Sequence, residues 1–238
     1  MSCNKQQIAT AHEIIFLGHG QHDIRDVPVF KLASGPAAYF FVAHMAVDAD
    51  GSPHCYHPPI GGSQSAGDRI ALDFLENSTS ESRHFIQGQN GIGPANGFFV
   101  SATALQDGPP NDCSSFVDAE TRPYIVLPSA FPGIQPHMQL GDCATVINLK
   151  TGAVTHAIFG DINPRVGEAS VKTAVNLGLR NTSPKDGGDD ADNYLYITFP
   201  GTQVKKPWND ADIKAAADAA FAAWGEMAQA KGCFPLIP

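Results

Sequence analysis

Two carboxyl residues, Asp161 and Glu168, lie close together in the chain, and their types and spacing suit acid/base chemistry. Asp161 follows an apolar run that ends at Gly160, and Glu168 follows Gly167, where we expect a helix to begin. Two carboxyls on rigid elements joined by a short loop can hydrolyse a glycosidic bond, one as the acid and the other as the base. Spacing alone favours a structural interpretation, in which Asp161 forms a turn and Glu168 complements the helix dipole.

A second polar segment covers residues 47–58. Its candidate functional residues are Asp48, Asp50, His54, Cys55, Tyr56 and His57. The Asp-x-Asp-Gly run is similar to the start of a calcium loop but lacks the later acidic ligands that such a loop needs. The two histidines and the cysteine could ligate a metal, yet strand alternation would place some of them on opposite faces. A turn between two strands explains the segment better, so we predict no metal and no cofactor.

The sequence lacks other motifs that would assign an activity. It contains no Gly-x-Ser-x-Gly elbow, no phosphate-binding loop and no dinucleotide fingerprint. His19 and His22 are close enough to bind zinc together, but nothing nearby supplies two further ligands. We treat this histidine pair as incidental.

The charge balance restricts the kind of partner. The chain has 15 Lys and Arg against 24 Asp and Glu, which gives a net charge of −9. Such a surface repels nucleic acid and anionic membranes and attracts cations, including polycations. With 43% hydrophobic and 16% charged residues, wholesale disorder and a coiled coil are excluded. No apolar run approaches the ~20 residues that a bilayer span requires.

The elements that must position the carboxyls are mainly strands. Segments rich in β-branched and aromatic residues are predicted as strands at 27–32, 38–47, 97–101, 124–127, 144–148, 155–159 and 194–199. Helices are predicted near 68–76, over 168–177 and over 209–231, where Asn209 is the expected cap. This pattern predicts a mainly β fold with peripheral helices, built as a compact β-barrel.

We expect an irregular arm over residues 1–26 and a single domain over 27–238, in a monomeric protein. The acidic segment 184–192 could be a cation site, but a solvated turn explains it better. The five cysteines are scattered, so one or two long-range disulfides remain open and at least one cysteine is unpaired within the chain. The first thirty residues lack the order of a signal peptide. We expect an extracellular protein whose export segment has been removed, with a cytoplasmic protein as the alternative.

The motifs, in this order, resemble the fungal and bacterial chitosanases of glycoside hydrolase family 75. The matching segments are VPVFK (27–31), VDADG (47–51), YHP (56–58), ALDFL (71–75), GFFVS (97–101), FVD (116–118), PYIVLP (123–128) and GDCA (141–144). The strongest similarity is IFGD (158–161) followed by GEAS (167–170). Together these segments span most of residues 27–205.

The resemblance implies an enzyme that cleaves β-1,4 bonds between glucosamine units with inversion. By position, its catalytic pair is Asp161 and Glu168, which reverses the preference for the structural interpretation. It also implies a compact β-barrel, with the double-psi type as one form. A non-catalytic carbohydrate-binding protein and a hydrolase of another amino-sugar polymer, such as peptidoglycan, remain open as alternatives.

The expected substrate-binding residues are Asp48, Asp50, Tyr56, His57 and Lys31. The two aspartates would meet substrate ammonium groups, and Tyr56 would stack on a sugar ring. Lys31 either reaches the same cleft or is an exposed strand lysine. A chitosan chain is a polycation, which agrees with the negative charge of the protein.

We assign the role of general acid to Asp161 and that of general base to Glu168. A helix start would lower the pKa of Glu168, and desolvation beside the apolar strand would raise the pKa of Asp161. Backbone N–H bonds to Asp161 would lower its pKa instead and exchange the two roles.

Overall fold

A computed structural model describes residues 3–18, 21–54, 86–88, 91–109, 111–183 and 187–238. The strands are β1 (Lys5–Gly18), β2 (Gln21–Leu32), β3 (Tyr39–Asp48), β4 (Tyr124–Leu127), β5 (Cys143–Asn148), β6 (Val154–Ile162), β7 (Glu168–Ser170) and β8 (Gly188–Phe199). The α-helices are α1 (Val171–Asn176), α2 (Asp210–Trp224) and α3 (Glu226–Cys233). Within this part of the chain, no helix has both the length and the apolar character needed to cross a bilayer.

Six of the strands close into a barrel. Their order is β3, β7, β4, β6, β5 and β8, and β8 pairs back onto β3. The pairs β3–β7 and β4–β6 are parallel, and the other pairs of the barrel are antiparallel. The predicted mainly β barrel with peripheral helices is therefore confirmed, while double-psi connectivity stays a prediction.

The barrel wall is buried on both faces. Phe41 of β3 belongs to one core cluster, where its ring stacks on Tyr196 with 4.9 Å between centroids. Its neighbour Phe40 belongs to a second cluster and meets Trp224 of α2 edge-on at 5.6 Å. Because successive strand residues point to opposite faces, an almost continuous apolar run fits this position. The strands are thus rigid supports for the side chains at their ends.

Strands β1 and β2 form a β-hairpin, so the expectation of an irregular arm over residues 1–26 is wrong. β1 and β2 pair in antiparallel register from Lys5 opposite Leu32 to Gly18 opposite Gln21. The hairpin joins the sheet through the pairing of Phe30 in β2 with β3. Because β1 lies at the edge of the sheet, its apolar residues do not need the continuous pattern of a barrel strand.

Three other predictions on local structure have different outcomes. Segment 97–101 is not a strand, and Phe99 forms only an isolated bridge with Ile86. Residues 188–192 are not a turn but the start of β8, because Gly188 and Asp189 pair with β3. The predicted helix at 68–76 lies outside the described residues.

The predicted C-terminal helix is divided into α2 and α3. The side chain of Asn209 accepts a hydrogen bond from the N–H of Asp212, which confirms the predicted cap. Gly225 has a left-handed φ of 113°, ends α2 and directly precedes α3. The prediction of one helix over 209–231 is wrong because this glycine takes a conformation that interrupts the helix.

A disulfide connects the two ends of the described chain. It joins Cys3, just before β1, to Cys233 at the end of α3, across a sequence separation of 230 residues. Among the described cysteines, Cys113 and Cys143 are free. The sequence left the pairing open, because scattered cysteines do not reveal which of them meet in the fold.

Candidate active site

The two expected catalytic carboxyls flank strand β4. Asp161 is next to last in β6, and Glu168 is the first residue of β7. Val126 of β4 lies opposite both of them, since β6 and β7 pair with its two edges. Neighbouring strands are about 4.8 Å apart, so the backbones of the two residues are separated by about 10 Å. The charge of Glu168 acts on Asp161 across this space.

Strand β3 brings two further carboxyls to the same place. It runs parallel to β7 and ends at Asp48, and Asp50 follows. The backbone N–H of Asp50 donates to the Asp48 carboxylate at 2.8 Å. Carboxylate oxygens of Asp48, Asp50 and Asp161 lie within 4.8 Å of one another. We call Asp48, Asp50, Asp161 and Glu168 the acidic cluster.

Hydrogen bonds hold two of the cluster carboxyls in place. The Oδ1 atom of Asp161 accepts from the backbone N–H groups of Ala104 and Ile162, both at 2.8 Å. The hydroxyl of Ser101 donates to Oδ1 of Asp50 at 3.2 Å. The loop that contains residues 101–104 therefore orients one carboxyl of β6 and one carboxyl that follows the end of β3.

The loop between β6 and β7 holds Glu168. The side-chain amide of Asn163 donates to Oε2 of Glu168 at 3.0 Å. Arg165 lies on the same loop, and its charge favours the ionised form of Glu168. Sequence reasoning missed both residues as functional candidates. Their position between Asp161 and Glu168 was the available signal.

Burial shifts the protonation of the cluster. Burial, followed by the charge of Asp50, raises the pKa of Asp161 to about 7 despite the two backbone hydrogen bonds. The same two effects raise the pKa of Glu168 to about 7, while Asn163 and nearby basic side chains oppose them. Asp48 is only 7% exposed, and burial together with its acidic neighbours raises its pKa well above the usual range. Near neutral pH the cluster therefore holds protons that ordinary carboxyls would have lost.

The sequence-based reason for an ionised Glu168 is wrong. Glu168 is not in the first turn of a helix, because residues 168–170 pair with β3 and β4. Helix α1 begins at Val171, and the side chain of Ser170 caps it by accepting from the N–H of Thr173. The groups that favour the ionised form of Glu168 are instead Asn163 and basic side chains near the strand.

Of the other expected binding residues, only Lys31 belongs to the described part of the chain. Tyr56 and His57 lie outside the described residues. Lys31 is next to the pairing of Phe30 with Phe40. Phe40 is near the start of β3 and Asp48 is at its end, which corresponds to about 26 Å of extended strand. The structure therefore does not bring Lys31 to the acidic cluster.

Oxygen atoms of three cluster carboxyls are close enough to share a cation. Hard cations such as Ca²⁺ and Mg²⁺ prefer oxygen ligands. Shared protons and hydrogen bonds also account for such closely spaced carboxyls. No second feature among the described residues indicates an ion, and we assign no metal ligand or cofactor site to this chain.

A cavity of about 530 Å³ lies beside β8 and the turn between β5 and β6. Its lining includes Lys150, Arg180 and Tyr194, and none of its lining residues belongs to the acidic cluster. It does not combine the closely spaced carboxyls that acid/base chemistry needs. We therefore take the acidic cluster as the candidate active site.

A barrel that presents two carboxyls with raised pKa values next to two further aspartates has the features of an acid/base hydrolase. A family model described as fungal chitosanase of glycosyl hydrolase group 75 matches residues 45–230 of the 238 in the chain. The chain belongs to this family, and it is a glycoside hydrolase whose family acts on the polysaccharide chitosan. The resemblance seen in the sequence is thus confirmed. No curated protein matches the chain.

Proposed function

We propose that the protein cleaves β-1,4 bonds within chitosan chains with inversion of configuration, using Asp161 and Glu168. The register that places both residues opposite Val126 carries this proposal. In inverting enzymes the two carboxyl groups are about 6.5–9.5 Å apart, which leaves room for the attacking water. Backbones about 10 Å apart are compatible with this separation. Because both pKa values are about 7, one protonated and one ionised carboxyl can coexist near neutral pH.

Within the pair, Asp161 is the general acid and Glu168 the general base. Asp161 is buried and lies close to Asp50, whose charge favours retention of its proton, while the backbone N–H groups of Ala104 and Ile162 favour its ionised form. Glu168 accepts a hydrogen bond from Asn163 and lies near basic side chains, which favour its ionised form. Burial and Asp50 act on both residues, and we base the assignment on the basic side chains His44 and Arg165, which act on Glu168, whereas the charged neighbours of Asp161 are the acidic Asp50 and Glu168.

The acidic cluster also suits a cationic sugar. Asp50 is half-buried, and it is the cluster carboxyl that we propose to meet a glucosamine ammonium group. Asp48 is nearly inaccessible and supports Asp50 through the hydrogen bond to its N–H. Tyr56 and His57 remain proposed substrate contacts on the segment that follows. We further propose that the protein acts outside the cell as a monomer.

The test compares the wild type with Asp161→Asn and Glu168→Gln on chitosan, chitin and carboxymethylcellulose. We expect each variant to lose about 10²–10⁴-fold in reducing-end release from chitosan. Asp210→Asn, which removes an exposed carboxyl on α2, is the matched control and keeps its activity.

NMR of fresh products should show the inverted anomer, and activity should fall with ionic strength as charge contacts are screened. Equal action on the three polymers would contradict chitosan as the substrate. A fourth assay uses peptidoglycan, and cleavage of peptidoglycan but not of chitosan would make peptidoglycan the substrate instead.

A substrate with a good leaving group separates the two roles, because its departure needs no acid. Asp161→Ala should retain much of its activity on such a substrate, while Glu168→Ala should stay inactive. If Glu168→Ala is the variant that recovers, the roles are exchanged. Oligosaccharide binding by the wild type without any product would contradict catalysis by the pair.

A further inference from the structure

Buried charges join the N-terminal hairpin to strand β3. Glu13 of β1, only 2% exposed, accepts from the backbone N–H of His44 at 3.1 Å and pairs with its ring Nδ1 at 2.6 Å. Arg25 of β2 lies 2.8 Å from the other oxygen of Glu13 and 3.0 Å from a carboxylate oxygen of Asp192 in β8. Burial disfavours the ionised form of Glu13, but its bonds with His44 and the charge of Arg25 prevail and lower its pKa. Glu13 is therefore an anion that faces His44.

The His44 ring lies against the backbone that leads into Glu168. Gly167 has a φ of 91°, and a Cβ there would be 2.7 Å from Cε1 and Nδ1 of the ring. The carbonyl of Gly167 accepts from the N–H of Ala46, which lies opposite Glu168 in the parallel pair. The hydroxyl of Tyr196 donates to the carbonyl of His44 at 3.0 Å and fixes this part of β3. Against the larger effect of burial, the charge of His44 lowers the pKa of Glu168.

We propose that Glu13 and His44 are positioning residues that hold a positive charge behind Glu168 and keep its carboxyl ionised during catalysis. This inference rests on the proposed function, in which Glu168 is the general base. The imidazole acts in this way only when protonated, and the Glu13 carboxylate balances that charge. Both residues precede residue 45, where the family match begins: Glu13 comes from the hairpin and His44 from β3.

Several other charged groups also influence the pair and its target. Around Glu168 they are Asp48, Asp50, Asp161 and Arg165, and around the Glu13–His44 pair they are Arg25 and Asp192. All of these remain when the imidazole alone is replaced. A change in the titration of Glu168 can therefore be assigned to His44.

The experiment titrates the Glu168 carboxyl directly in the full chain. The side-chain carbons of glutamate are labelled with ¹³C, and Glu168→Gln assigns the signal. In His44→Gln, whose amide can still donate to Glu13, we expect the midpoint of Glu168 to rise by about 0.5–1 pH unit. The acid limb of kcat on chitosan should move upward by the same amount, while KM changes little.

Two further variants make the result specific. His12→Gln removes an exposed imidazole from the same hairpin, where it pairs with Asp26, and should leave the Glu168 midpoint unchanged. Glu13→Gln removes the carboxylate that stabilises the protonated imidazole. The ring should then lose its proton more readily, so the midpoint of Glu168 should rise, as in His44→Gln. Glu13→Gln also serves as the test if His44→Gln does not fold.

A folded His44→Gln or Glu13→Gln variant whose Glu168 titrates as in the wild type overturns the proposal. The wild type provides a check without any variant, because ¹⁵N NMR must show a protonated His44 ring over the acid limb. A neutral ring there also overturns the proposal. If the midpoint shifts but the wild type cleaves no amino-sugar polymer, the proposed function fails while the effect of the pair on Glu168 stands.

Discussion

Asp48 is a carboxyl in a place that disfavours its charge. It is almost fully buried, and Asp50, Glu168 and Asp161 all act on it as like charges. Its raised pKa means that the folded protein binds a proton which the unfolded chain releases at lower pH. This contribution to stability is present below the unfolded pKa and is lost as pH rises through the folded value.

We therefore expect Asp48→Asn to stabilise the protein at pH 8 and to have little effect at pH 4. The gain in the free energy of unfolding should be about 1 kcal/mol or more, since one pKa unit corresponds to about 1.4 kcal/mol. Thermal melts followed by circular dichroism at the two pH values measure it. Asp26→Asn, which removes a surface carboxyl that is 78% exposed, should show no such pH-dependent gain. A variant that is less stable than the wild type at pH 8 would contradict this account.

The sequence identified the residues with acid/base chemistry better than it identified their neighbours. Asp161 and Glu168 could be selected by residue type, by the short loop between them and by resemblance. The approach of Asp50 depends on the parallel pairing of β3 with β7, and no local pattern specifies a pairing between distant segments. The Glu13–His44 pair has the same origin, because the two residues meet only when the hairpin folds onto β3.

At the scale of elements, the close contact between Gly160 of β6 and Tyr124 of β4 positions the residues around Asp161. Gly160 of β6 precedes Asp161, and a Cβ there would be 2.7 Å from Cβ and Cγ of Tyr124 in β4. The hydroxyl of Tyr124 donates to the carbonyl of Asp50 at 2.9 Å. A glycine at this position therefore lets one aromatic residue reach across the cluster.

Gly160→Ala should displace Tyr124 and disturb both Asp50 and Asp161. We expect a loss of about 1–3 kcal/mol in the free energy of unfolding, as for other overpacked sites, and a fall in chitosan hydrolysis. Gly201→Ala is the control, because a Cβ there meets nothing within 4 Å and only its left-handed φ of 83° disfavours alanine. The control should lose some stability but keep its activity. Full activity in Gly160→Ala would show that Tyr124 does not help to position the cluster.

Prediction of the elements succeeded where one local preference was strong. The apolar segments at 124–127, 144–148 and 155–159 are strands, and Asn209 caps a helix as expected. Prediction failed where tertiary pairing prevailed over local pattern. Residues 168–170 have the composition of a helix start but are held as a strand between β3 and β4.

For the whole molecule, the Cys3–Cys233 disulfide should contribute to stability and not to catalysis. It closes almost the entire described chain, and breaking it should lower the free energy of unfolding by about 2–5 kcal/mol. Phe234, the next residue, packs against Phe40, far along β3 from Asp48. Cys3→Ser should therefore melt at a lower temperature but hydrolyse chitosan at 25 °C like the wild type.

Reductant supplies the control for this prediction. It should lower the melting temperature of the wild type and leave that of Cys3→Ser unchanged. A wild-type melt that is insensitive to reductant under unfolding conditions would show that the bond does not stabilise the fold.

The same bond has a consequence for gene design. The Cα atoms of Cys3 and Cys233 are 4.7 Å apart, so a linker of a few residues could join the two ends of the fold. A circular permutant could then begin near Thr151, in the exposed turn between β5 and β6. In that chain Asp161 and Glu168 would precede Asp48 and Asp50, yet the strands would pair as before. We therefore expect the acidic cluster to form whichever of its carboxyls comes first in the chain.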